Sequence, residues 1–150
     1  MPSLKSLLGA LFGASNRLSD LEKRILVYVR AQLAERLLPL WDKQIHAINK
    51  VQRLPEGVEV NFYRMRGGRP TFDAELAFPN KAEELQLAKL EMKLANVRQK
   101  LVARVWCVKG FLFSIEYEGS INYFEEAAGL DTPSELHIDC ELTADLAAPH

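Results

Sequence analysis

The stretch from Val58 to Phe78, VEVNFYRMRGGRPTFDAELAF, decides the fold, because the hydrophobic period changes here from that of a helix to two. Val58, Val60 and Phe62 alternate with Glu59, Asn61 and Tyr63. Beyond Arg66-Gly67-Gly68-Arg69-Pro70, the residues Phe72, Ala74, Leu76 and Phe78 alternate with Asp73 and Glu75. Two alternating runs around a glycine turn predict a β-hairpin with one wet face.

Before this point the chain reads as helical. Leu4, Leu7, Leu8, Leu11 and Phe12 share one face of a short amphipathic helix over 1–13, which carries a single lysine and is expected to dock on the protein's own core. This segment has no signal-peptide pattern and is expected to be retained. Ser19-Asp20-Leu21-Glu22 has the form of a capping box and opens a second helix with Leu26, Val29, Leu33, Leu37 and Leu40 as its stripe. Pro39 is expected to kink or end that helix. Trp41, Ile45 and Ile48 carry the helical step to about Lys50, although 44–54 also suits the start of a sheet. Leu54-Pro55-Glu56-Gly57 is turn chemistry.

After the hairpin, 81–100 fits two periods. Leu87, Leu90, Leu94, Val97 and Leu101 suit a helix, whereas Ala88, Leu90, Met92 and Leu94 alternate with Lys89, Glu91 and Lys93. Continuity with the neighbouring strands favours a strand over 87–95 and a turn over 96–99. Runs 102–108 and 111–117 flank Lys109-Gly110 as a tight hairpin. Ile121 to Ala128 reads as a short helix or turn ended by Gly129, and Leu136, Ile138, Cys140 and Leu142 mark a last strand.

The predicted architecture is α+β in one domain over 1–150. A kinked helical region over 19–50 packs on one face of a largely antiparallel sheet of about five or six strands, which occupies 58–142. Phe62, Phe72, Leu76, Phe78, Val105, Phe113 and Ile115 are expected in the core.

The composition, 48% hydrophobic and 26% charged over 150 residues, is that of one globular domain. No apolar run approaches the length of a bilayer span. Cys107 and Cys140 sit in alternating apolar runs without a CxxC, which points to a reduced, cytoplasmic protein of bacterial type. There is no nucleophile elbow, phosphate-binding loop, dinucleotide fingerprint, zinc spacing or calcium loop, so no catalytic residue or cofactor is expected. His137, Asp139 and Glu141 carry ligand chemistry, but neighbours on one strand face lie about 6.8 Å apart and do not converge on one ion. Arg64, Arg66 and Arg69 around Gly67-Gly68 have phosphate-gripping chemistry, but the cluster is too small to mark a nucleic-acid surface.

Charge is distributed unevenly. Residues 1–109 hold all 19 Lys and Arg and 11 of the acids, whereas 110–150 hold no Lys or Arg and nine acids. Pairing between basic and acidic strands accounts for most of these charges. Glu116, Glu118, Glu125 and Glu126 crowd beside Tyr117, Tyr123 and Phe124, the composition of a surface that steers and anchors a basic protein. The leading expectation is therefore a non-enzymatic interaction protein, by analogy of immunity or antitoxin type, using that acidic-aromatic surface. A pocket between sheet and helices for a small molecule, and a homodimer formed through an exposed strand, are the rivals.

Overall fold

The structure is a computed structural model and describes residues 18–95, 97–129 and 136–149. The proposed helix at 1–13 and the turn position Asn96 lie outside the described residues. The fold is α+β. Helix α1 (Asp20–Gln32) is followed by α2 (Leu38–His46), strands β1 (Lys50–Arg53) and β2 (Glu59–Tyr63), and a two-residue ribbon of β3 (Met65–Arg66) and β4 (Arg69–Pro70). Strands β5 (Leu85–Leu94), β6 (Leu101–Val108) and β7 (Phe111–Glu118), helix α3 (Asn122–Ala128) and strand β8 (Leu136–Leu142) complete it. Six strands form one sheet in the order β1-β2-β7-β6-β5-β8, every neighbouring pair antiparallel.

Alternation puts Val60, Phe62, Leu90, Met92, Ala103, Val105, Ile115 and Ile138 on one face of the sheet, beneath Leu21, Ile25, Leu26 and Val29 of α1 and Trp41 and Ile45 of α2. Removing these side chains from water is the main stabilising term. Helix α1 starts as its sequence dictates: Ser19 Oγ accepts from the Glu22 N–H at 3.1 Å, and Glu22 Oε1 accepts from the Ser19 N–H at 2.8 Å.

Three expectations give way to the structure. The helical region does not kink at Pro39. It breaks at Leu33 and Ala34, which are extended, and Pro39 occupies the first turn of α2. A proline inside a helix clashes with the carbonyl four residues earlier, so the chain restarts where its missing N–H is no loss. Arg30 bridges the break with two 2.8 Å bonds to Asp42.

The helix also stops short of Lys50. Lys50–Arg53 is an edge strand paired with β2, and Leu54 to Gly57 make the connecting turn. Cross-strand pairing outweighs the helical spacing of Ile45 and Ile48.

The segment 72–78 is not a strand. Strand β2 already has β1 on one side and β7 on the other, so no ladder is open for a further strand. Pro70 ends the short ribbon, and Asp73 Oδ1 accepts from the Glu75 N–H to start a single 3₁₀ turn over Ala74–Leu76. Phe72 is consequently 53% exposed, and Leu76 and Phe113 are half-buried, whereas Phe62, Phe78, Val105 and Ile115 are buried as expected.

The β5 strand and the β6–β7 hairpin form as predicted. Gly110 in that hairpin has φ +91°, and a Cβ there would sit 3.0 Å from the Phe78 carbonyl oxygen, so the turn requires glycine. A bulge after Trp106 leaves Phe113 as an extra residue on β7.

Candidate binding face

No described helix covers the second face of the sheet. Its composition follows from the strand registers. Toward β8 the acids have cation neighbours: Lys89 lies opposite Glu141, and Glu91, although opposite Asp139, is 3.9 Å from Lys89 and 3.4 Å from Lys100. Toward β2 they do not. Glu59 of β2 and Glu116 of β7 are direct register partners, a like-charge pair on one face. Among the described residues neither joins an ion pair: Arg104, directly opposite Glu116 on β6 and lining the larger cavity with both acids, pairs with Glu118 at 3.4 Å.

These acids line two shallow cavities, of about 220 and 410 Å³, which share Glu59 and Glu116. The smaller is also lined by Trp106, Phe113 and Glu84. Tyr63 meets Phe113 edge-on at 5.5 Å, which fixes the Phe113 ring. The Trp106 indole Nε1 is buried and has no hydrogen-bond partner among the described residues. The result is an aromatic floor with unpaired carboxylates along its rim. That chemistry suits an ammonium or guanidinium group, which would gain carboxylate partners and a ring face together.

The acidic-aromatic surface expected from sequence is divided among three places. Glu116 and Glu118 lie on the open face. Tyr117 points the other way and is buried with its hydroxyl unpartnered, and Phe124 of α3 is buried in the core, so neither ring is placed as a surface anchor. Tyr123 and Glu126 are exposed on α3. Glu125 is half-buried and accepts from Ser19 Oγ at 3.0 Å, and loss of water raises its carboxyl above the ordinary value, with Ser19 opposing and Glu22 reinforcing the shift. Sequence reading missed Glu59, Glu84, Trp106 and Phe113. The wet-face alternation of Glu59 was visible, but its contact with Glu116 depends on the β2–β7 register.

The cysteines are held as thiols by burial, which pushes Cys107 up to about 12 and Cys140 to about 11. Comparison of the chain with protein-family models, curated proteins and solved structures finds no match.

Proposed function

We propose that the chain is a non-catalytic protein-interaction module that receives a basic partner on the open face of its sheet, with an immunity-type role as its nearest functional analogue. The observation that carries this reading is the opposed, unpaired Glu59 and Glu116 beside Trp106 and Phe113. A like-charge pair directly across two strands is destabilising in the free protein and is relieved when a cation inserts between its members. The aromatic floor supplies the desolvated centre around which such interfaces concentrate their binding energy. Glu116 and Glu118 keep the steering role assigned to them from sequence. The anchoring role assigned from sequence to Tyr123 and Phe124 passes to Trp106 and Phe113.

Titration with a hexa-arginine peptide, followed through the indole N–H resonances, tests this reading. The Trp106 signal should shift saturably, whereas that of Trp41, buried under the helices, should stay in place. Glu59→Gln with Glu116→Gln should abolish the Trp106 response. Equal movement of both indoles, or an undiminished response in the double variant, would exclude the face as the binding surface.

A further inference from the structure

Directly after β2, Arg64 turns into the core. It is 7% exposed, and among the described residues no carboxylate lies within ion-pair distance of it. Its Nε donates to the Gln44 carbonyl at 3.1 Å and its Nη1 to the Leu112 carbonyl at 3.0 Å, while Nη2 has no partner among the described residues. The Phe111 ring lies 5.8 Å from its guanidinium carbon. A buried cation without a counterion is costly, and buried charges are ordinarily paired.

Arg64 also lines a cavity of about 220 Å³ together with Asn49, Arg66, Thr71, Asp73 and Phe111. Arg66 is the direct register partner of Arg69 on the β3–β4 ribbon, so two further guanidinium groups stand side by side at this corner. Neither forms an ion pair among the described residues. Gly67 and Gly68, with φ of +60° and +78°, make the tight turn that holds the two strands of this ribbon together, and open space surrounds both. Like charges opposed across so short a ribbon repel unless an anion sits between them. Three arginines against Asp73 leave a surplus of two positive charges, which matches a dianion.

We propose that this cavity is a phosphate-class site, in which Arg64 from its buried side and Arg66 and Arg69 from the surface hold the dianionic phosphate of a monoester. Planar guanidinium groups bond phosphate oxygens in pairs, and Arg64, which lines the cavity, keeps a buried Nη2 without a partner among the described residues. Asn49 and Thr71 act as framework. Asn49 exchanges bonds with the Met65 backbone at 2.7 and 2.9 Å, and Thr71 Oγ1 donates to the Arg64 carbonyl at 2.9 Å, so the ribbon is fixed against β2 before any ligand arrives.

The test is thermal unfolding of the full chain in inorganic phosphate and in sodium chloride of equal ionic strength. Phosphate should raise Tm saturably and chloride should not. Arg66→Gln with Arg69→Gln, both surface positions, should not lower Tm in phosphate-free buffer, where it relieves their mutual repulsion, and should weaken phosphate binding about tenfold or more. Arg64→Lys, which keeps the charge but loses the paired geometry, should weaken it similarly. If that variant fails to fold, the surface pair still decides. An equal phosphate response in the double variant and the wild type, or none beyond that of chloride, would overturn the proposal. Vesicles containing phosphatidic acid separate the two sources of such a group. Vesicle binding that inorganic phosphate competes away supports the site, whereas vesicle binding without any response to inorganic phosphate overturns it.

Discussion

On the helix-covered face of the sheet, Glu22 and Gln44 are buried and each is surrounded by partners. Glu22 takes Arg53 at 2.7 and 3.1 Å in addition to the Ser19 backbone. Gln44 donates to the Leu76 and Gly110 carbonyls at 2.6 and 2.9 Å and accepts from the Leu112 N–H at 2.9 Å, fastening α2 to the tip of the β6–β7 hairpin. On the open face, Glu59 and Glu116 are opposed with no such partners among the described residues. The difference lies in water. Where water is excluded, a polar group without a bond costs its full desolvation, and Glu22 and Gln44 are matched accordingly, although the buried Tyr117 hydroxyl is not. Where water remains, a mismatch costs little and stays available to a partner.

The sharpest test of this contrast is to truncate one ring on each face. Phe62→Ala should cost about 3–5 kcal/mol, the range for a fully buried phenylalanine. Phe113→Ala, on the open face, should cost about 1 kcal/mol, chiefly its contact with Tyr63. Chemical denaturation measures both, and similar losses would mean that the open face is a second core. Next in size, Gln44→Leu should destabilise by about 2–3 kcal/mol, since it strands the Leu112 N–H and the Leu76 carbonyl, whereas the Gly110 carbonyl keeps the Phe78 N–H. A neutral result would make the node a packing site instead.

A smaller effect of opposite sign is expected outside. Glu59→Gln should stabilise the free protein by about 0.2–1 kcal/mol through relief of the pair with Glu116, and the gain should fade in high salt. Smallest is the effect of pH on Glu125. Because burial raises its carboxyl in the folded state, the folded protein holds that proton more tightly than the unfolded chain does. Stability should therefore fall as pH rises from the ordinary value of 4.5 through the raised one. Ser19, Glu22 and Arg53 are the groups that face it. Comparing Tm against pH for the wild type and Glu125→Gln checks this, and the variant should lack that part of the decline.

Local pattern carried the elements whose partners are neighbours in the chain. The capping box, the β6–β7 hairpin and the final strand needed only their own residues, and the doubtful strand over 87–95 was resolved by the strands on either side of it. The misread segment 72–78 alternates as well as a true strand does. What it lacks is a free edge to join, and that depends on β7, far along the chain. Legibility of the site had the same limit. Glu116 and Glu118 stood out as acids, but no property of 58–63 or of 111–118 alone reveals that Glu59 and Glu116 meet. Tyr117 was misplaced because an aromatic among glutamates reads as surface, whereas the alternation of β7 turns it inward with Ile115.

The strand order has a consequence for the life of the chain during synthesis. The central partners emerge from the ribosome far apart in time: β2 must wait for β7, and β5 for β8. Folding that depends on such distant pairings is slow. Until β8 arrives, β5 presents an unpaired edge beside Leu90 and Met92, and α1 lacks the strand on which it rests. A nascent or truncated chain that ends before Leu136 therefore carries a sticky border, and aggregation of such fragments should begin there. Strand β8, with Asp139 and Glu141 and no lysine or arginine, gives the finished sheet a charged margin in place of that border.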